Sequence, residues 1–335
     1  MPDASVPGVS DEELTRAIGE GAGPVLDIHR RPWEYSTSAP LELVTARLRN
    51  SPPRQFVLKH LSPRTMTDHA RLIKPAFVVV PHREIEVYRR LLGPAGVGPK
   101  LVASMASRET GTYWLLTEKV SGREMYQVGD VPVWCAVAEW LARMHDCFAR
   151  VDVEAVTREA ALIEYDRRWY STWMERALDF FADRNPRESR RDRSALRWLA
   201  DRYPQVIDRL MTLPATIIHG EFYSSNVLVL DGDDERRVCP VDWEMAAAGP
   251  GVIDLAALTL GRWSDGDRRA VISAYASTVR GSGTSTIADA IDAVMLAQIH
   301  LSVQWLGWFG HRQPPAEHRL DWLSDAIERA EMLRL

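Results

Sequence analysis

Cysteine is scarce: Cys135, Cys147 and Cys239 are the only three in 335 residues, and no two of them form a CxxC pair. An odd, scattered set excludes a disulfide framework and a zinc knuckle, and predicts reduced thiols. A surplus of basic charge is lacking too, the net charge being −5. A surface for double-stranded nucleic acid, whose affinity comes from neutralising phosphates, is therefore not expected. The Arg-rich run from Arg187 to Arg193 is broken by Glu188 and Asp192, and reads as a solvated face. No apolar run approaches the ~20 residues of a membrane span. The opening MPDASVPGVSDEEL carries acids and lacks a basic, then apolar, leader, which predicts a cytoplasmic protein. Two motifs are missing as well. No GxSxG elbow supports a hydrolase. Gly19, Gly21 and Gly23 only imitate a dinucleotide fingerprint, because they precede a strand instead of following one.

What remains is an ordinary globular composition, 46% hydrophobic and 26% charged, with enough chain for two domains or one two-lobed domain. Ser10 with Glu13 three residues on predicts a capped helix that ends near Gly19. Strands are predicted over 25–30, 41–48 and 55–61, the second alternating apolar and polar residues. A helix is predicted over 83–92, closed by Gly93-Pro94, and further strands over 100–104 and 113–120. These first 120 residues read as an antiparallel sheet with one inserted helix, not a βαβ array. Beyond Gly122 the period changes to helical over 133–148, 163–181, 194–210 and 287–309, with a β-rich interlude over 216–230 and 238–241. The expected class is α+β.

The interlude holds the chemistry. His219-Gly220-Glu221-Phe222-Tyr223-Ser224-Ser225-Asn226 lies between two apolar stretches, ATII and VLVL, and Val241-Asp242-Trp243-Glu244 follows the turn DGDDERR. A hairpin here would bring Asn226 and Asp242 together. Acid, amide and acid are what metal-assisted phosphoryl transfer needs: one carboxylate for the attacking hydroxyl, an amide oxygen and a second carboxylate for Mg²⁺.

HGEFYSSN resembles the HGDxxxxN catalytic loop of the aminoglycoside phosphotransferases and related small-molecule kinases, VDWE their metal-binding IDxE or IDFG segment, and GPGVIDLA their GxxxxDLA element. The resemblance spans about residues 25–310. It implies a protein-kinase-like, two-lobed fold: a small N-terminal antiparallel β lobe with one key helix (1–116), a hinge (117–122) and a larger, mostly helical C-terminal lobe (123–335). It implies ATP as co-substrate and Mg²⁺, with transfer of the γ-phosphoryl group to a hydroxyl of a small molecule. That acceptor could be an aminoglycoside-like antibiotic, a sugar, a choline-like alcohol or a natural-product intermediate. By the same resemblance Glu221 orients the hydroxyl, Asn226 and Asp242 hold the metal, and Asp254 braces the loop. Lys59 meets the α/β-phosphates and pairs with Glu84 (Glu86 as the fallback), while the Glu118 carbonyl and Val120 amide meet the purine edge.

Two features depart from the family pattern. Glu221 stands where the family carries Asp, so its carboxylate reaches one C–C bond farther; the alternative this leaves open is a catalytically impaired pseudokinase, a nucleotide-binding or regulatory protein. The segment RPWEYSTSAP between the first two strands has no glycine, which disfavours a protein kinase and leaves Ser36, Thr37 and Ser38 as phosphate partners or a plain turn. His219 is expected to brace the loop backbone and His145 to be a packed core residue. The aromatics Trp169, Tyr170, Trp173, Trp305, Trp308 and Phe309 read first as core, and second as a stacking surface for a substrate.

Overall fold

The computed structural model describes residues 9–33, 39–49, 51–182, 190–230, 237–280, 286–309 and 321–335. Ser36, Thr37 and Ser38, the start of the Arg-rich run and most of the DGDDERR turn lie outside these. The chain divides into two compact units. Unit 1 takes in Met1–Arg123, Glu159–Ala161 and Leu228–Glu244; unit 2 takes in Glu124–Arg158, Leu162–Val227 and Met245–Leu335.

Unit 1 begins with helix α1 (Asp11–Ala22), which forms because Ser10 and Glu13 cap each other's backbone amides in a complete capping box. It runs one turn past Gly19 and stops at Gly23, whose φ of 99° suits a residue without Cβ. The five-stranded antiparallel sheet has the order β1-β2-β3-β5-β4, from β1 (Val25–Pro32), β2 (Leu41–Leu48), β3 (Arg54–His60), β4 (Leu101–Ser107) and β5 (Thr112–Glu118). Period-two alternation sends Val44, Ala46, Leu48, Phe56 and Leu58 to the face covered by Leu14 and Ile18 of α1. Each of those two helix side chains is fully buried, a gain of about 1.5–3 kcal/mol apiece. Alternation therefore turns Lys59 away from this core.

Between β3 and β4 come α2 (Asp68–Ile73), α3 (Arg83–Val87), a π turn over Tyr88–Leu92 and the single turn α4 (Gly93–Ala95). The predicted helix over 83–92 thus exists, but its second half is a π turn that buries Tyr88, Leu91 and Leu92. Strand β6 (Arg123–Glu124) belongs to a second sheet with β9 (Val227–Leu230) and β10 (Arg237–Pro240), in the order β10-β9-β6.

A half-buried charge network crosses the first three strands. Glu42 accepts from Arg30 Nε (2.7 Å) and Nη2 (2.9 Å), and its Oε1 lies 2.6 Å from His60 Nε2. Burial alone would raise the Glu42 carboxyl, but the bonds from His60 and Arg30 outweigh it and bring the value down from 4.5 to about 2. A depressed carboxyl stabilises the fold fully above its unfolded value, and the gain is lost as pH falls from about 4.5 towards 2. Glu42→Gln is expected to cost roughly 3 kcal/mol at pH 7 and to flatten the acid limb of the stability curve. Urea melts of both proteins at pH 7 and pH 3 check it; equal pH dependence would sink the assignment.

Unit 2 is mostly helical. Its long helices are α5 (Val131–Phe148), α7 (Arg167–Ala182), α8 (Arg190–Met211), α10 (Asp265–Thr278), α11 (Ile287–Phe309) and α12 (Trp322–Met332), with the shorter α6 (Val153–Ala160) and α9 (Val252–Leu258). A small sheet sets β11 (Ala247–Pro250) antiparallel to β8 (Ala215–Ile218) and parallel to β7 (Ile163–Glu164). The helix expected from Ile163 starts only at Arg167. Ile163 and Glu164 pair with Ala247 and Ala248 instead, and the Asp166 carboxylate then caps the Trp169 amide at 2.7 Å. Trp169, Tyr170 and Trp173 are buried and form core, Trp173 stacking on Trp308; Trp305 and Trp308 are half-buried, and the Phe309 side chain lies outside the described ones. Gly307 is needed in α11, since a Cβ there would lie 2.5 Å from the Trp173 carbonyl oxygen. Among the described residues no helix is long and apolar enough to cross a membrane.

Candidate active site

In unit 1, three residues far apart in sequence converge on one ammonium group. Lys59 Nζ lies 2.7 Å from Glu84 Oε2 and 2.6 Å from Asp242 Oδ1. β3 delivers the lysine, α3 the glutamate, and the segment after β10 the aspartate. Glu86, the fallback partner, instead bonds Arg89 and Arg90 on its own helical surface. Burial opposes the lysine charge, but Asp242, Glu84 and Glu244 together more than offset it and hold Lys59 well above its usual range. Burial, helped by the Asp242 carboxylate, pushes Glu84 up to about 7 against the pull of Lys59.

Asp242 stands at φ 64°, one of three non-glycine residues in the left-handed region among those described. For an L residue that backbone costs on the order of 1–2 kcal/mol, so the surroundings must hold it. Several groups do. The Trp243 amide donates to Glu84 Oε1 (3.2 Å), and the Trp243 indole, fully buried, donates to the Pro240 carbonyl (3.3 Å). The Glu244 carbonyl accepts from Arg83 Nη1 (2.9 Å), and the Glu244 carboxylate pairs with Lys74 (2.7 Å).

Unit 2 contributes the HGE loop. The Asp254 carboxylate, completely buried on α9, accepts from the His219 amide (2.8 Å) and the Gly220 amide (2.9 Å). His145 Nε2 lies 3.1 Å from the same carboxylate, and its Nδ1 is 2.8 Å from the Tyr275 hydroxyl. With Tyr275 donating to Nδ1, His145 donates its other proton to Asp254, so the chain of bonds is complete. Gly251 makes room for that pair, because a Cβ would fall 2.6 Å from the Tyr275 hydroxyl oxygen. His145, expected as a packed histidine, is thus buried and also bonded. His219 accepts from the Glu221 amide through Nδ1 at 3.3 Å, a bond within the loop itself.

Past the loop, the Asn226 amide group donates to the Glu221 carbonyl at 3.0 Å, and that bond turns the Asn226 carbonyl oxygen the other way. Asn226 closes a single turn (Ser224–Asn226) directly before β9, and Asp242 is the second residue after β10, the neighbour of β9 in its sheet. Glu118 ends β5, its amide bonded to the Lys100 carbonyl at 2.9 Å, and Val120 lies just beyond, partly exposed.

An amide oxygen and a carboxylate are hard oxygen donors of the kind Mg²⁺ takes, and Mg²⁺ commonly uses only one or two protein ligands beside substrate phosphates. Among the described residues no group of three or more His, Cys, Asp or Glu side chains is arranged to hold an ion. Arg83, Lys74 and Tyr275 were not singled out from the sequence. Arg83 adjoins Glu84, but nothing local marks an arginine whose partner is 161 residues away.

No curated protein matches the chain by sequence. Among solved structures it is similar to the Plasmodium vivax ethanolamine kinase (13% identity, 92% of this chain and 82% of that one, TM-score 0.59). It is also similar to the choline kinase LicA from Streptococcus pneumoniae (14%, 96% and 97%, TM-score 0.57). The GDP complex of the aminoglycoside 2′-phosphotransferase-IIIa is a third such structure (16%, 97% and 98%, TM-score 0.56). At these identities the likeness shows the fold, the α+β, protein-kinase-like one that the motifs imply. The model of the phosphotransferase enzyme family matches residues 45–288, a span running from β2 to the start of α11 and taking in Lys59, Glu84, Glu221, Asn226 and Asp242. The chain belongs to the phosphotransferase enzyme family.

Proposed function

We propose that the protein is an ATP-dependent kinase that transfers the γ-phosphoryl group to a hydroxyl of a small molecule. The observation that carries this reading is the half-buried Lys59, held charged between Glu84 and Asp242. An ammonium fixed at that point is the charge a nucleotide's α- and β-phosphates need. Residues 1–116 would form the nucleotide lobe, 117–122 the hinge and 123–335 the acceptor lobe. The Glu118 carbonyl and Val120 amide would meet the purine edge. Asn226 and Asp242 would hold Mg²⁺, which when bound neutralises phosphate charge.

The transfer itself asks little covalent chemistry of the protein. As the acceptor oxygen attacks the γ-phosphorus, its proton passes to the Glu221 carboxylate. The bond from phosphorus to the bridging oxygen breaks, and ADP leaves. The Asp254 brace fixes the backbone that carries Glu221, so the base does not wander during attack. By analogy with the ethanolamine and choline kinases and the aminoglycoside phosphotransferase, the acceptor would be a hydroxyl of a small molecule, and the protein would work in the cytoplasm.

ADP release measured against a panel of sugars, amino alcohols and aminoglycosides tests the reading. We expect acceptor-dependent turnover that Asp242→Ala lowers by about 10³-fold. Lys59→Met is expected to raise the KM for ATP and lower kcat. Turnover untouched by Asp242→Ala would refute the assignment.

A further inference from the structure

Arg83 is an anomaly among the buried charges. Its side chain is 3% exposed, yet its hydrogen bonds go to three main-chain carbonyls: Ala161 through Nε (2.7 Å), and Val78 (3.1 Å) and Glu244 (2.9 Å) through Nη1. A guanidinium is costly to bury, and a planar fork that grips backbone oxygens fixes direction as well as charge. Two of its three acceptors belong to strained surroundings. Ala161 is itself left-handed (φ 51°), and Glu244 lies two residues after left-handed Asp242.

The neighbours of Arg83 complete the pattern. Glu84, next in sequence on α3, takes the Trp243 amide at 3.2 Å, while Arg83 takes the carbonyl of the following residue. Consecutive residues of one helix thus grip an amide and a carbonyl just beyond Asp242. Lys74, 7% exposed and just past α2, closes on the Glu244 carboxylate at 2.7 Å. Side chains from α3 and from the end of α2 hold the segment that a relaxed backbone would let leave the left-handed region.

We infer that Arg83 and Lys74 are positioning residues that clamp Glu244 and thereby hold Asp242 in the geometry needed to take a divalent cation with the nucleotide. Neither touches the reacting atoms. The inference rests on the nucleotide reading above, and it assigns to the clamp a specific consequence: loosening it weakens the metal dependence of nucleotide binding more than binding itself. A displacement of the Asp242 carboxylate by about 1 Å is enough for a large effect.

Calorimetric titration of the full chain with ATP, at Mg²⁺ concentrations from zero to saturating, supplies the test. In Arg83→Lys and Lys74→Gln we expect the half-saturating Mg²⁺ concentration to rise at least fivefold, with metal-free ATP affinity within twofold of wild type. Arg83→Lys keeps the charge and loses the fork; Lys74→Gln keeps most of the volume and reads the clamp where Arg83→Lys does not fold. Thermal melts recorded alongside separate a plain packing role, which lowers Tm and leaves the Mg²⁺ titration in place. Wild type that binds Mg-ATP while the folded variants titrate identically overturns the clamp alone. Wild type that binds no nucleotide at any Mg²⁺ concentration overturns the nucleotide reading and the clamp with it.

Discussion

Exchange of Glu221 for glutamine is expected to lower kcat by about 10²–10⁴-fold while the KM for ATP stays near that of the parent. The amide keeps the size and the hydrogen-bonding shape of the side chain but cannot accept the acceptor's proton. Glu221→Asp is the sharper companion. Its backbone is fixed by Asp254 on the two preceding amides, so the shorter residue cannot follow the substrate by moving the loop. The carboxylate would retreat by about one C–C bond, and a misplacement of that size costs roughly 10²-fold. Steady-state rates for both variants on the best acceptor decide the matter. If aspartate raised the rate instead, Glu221 would mark impaired catalysis, and Mg-ATP binding without turnover for any acceptor would restore the pseudokinase reading.

Local patterns carried the elements of unit 1 because each is specified by neighbours in sequence. Ser10 and Glu13 cap α1 within one turn, and the alternation in LELVTARL sets which face of β2 meets it. The same alternation in β3 turns Lys59 to the sheet face away from α1. What local patterns could not show is anything decided by a distant partner. Ile163 and Glu164 read as helix until Ala247 and Ala248 claim them as a strand. The Arg83 bonds to the Ala161 and Glu244 carbonyls, the Lys74–Glu244 pair and the His145–Tyr275 bond join residues between 78 and 170 positions apart. The left-handed backbone of Asp242 is likewise invisible, since aspartate in a strand-ending segment suggests an extended conformation.

Gly220→Ala is expected to do more damage than alanine at any other loop glycine among the described residues. Gly220 sits at φ 83°, and a Cβ there would fall 2.3 Å from the Met245 carbonyl oxygen and 3.1 Å from its carbon. The obstacle is backbone, so no side-chain rotation relieves it. Either the loop or the Met245 peptide must move, and the loop cannot do so without giving up the Gly220 bond to Asp254. Strained φ, steric clash and a lost bond to a buried carboxylate together suggest about 3 kcal/mol or more. For a unit of this size that is a drop in Tm of roughly 6–12 °C. Activity should fall further than stability does, because the displaced backbone is the one that aims Glu221. Gly261→Ala is the control: its φ is 98°, but nothing lies within 4 Å of the added Cβ. It carries the backbone strain alone, about 1–2 kcal/mol, and lies outside the loop. Melting temperature and kcat measured on both variants separate the effects. Equal losses of Tm and unchanged turnover in Gly220→Ala would mean that the close approach to Met245 does not govern the catalytic loop.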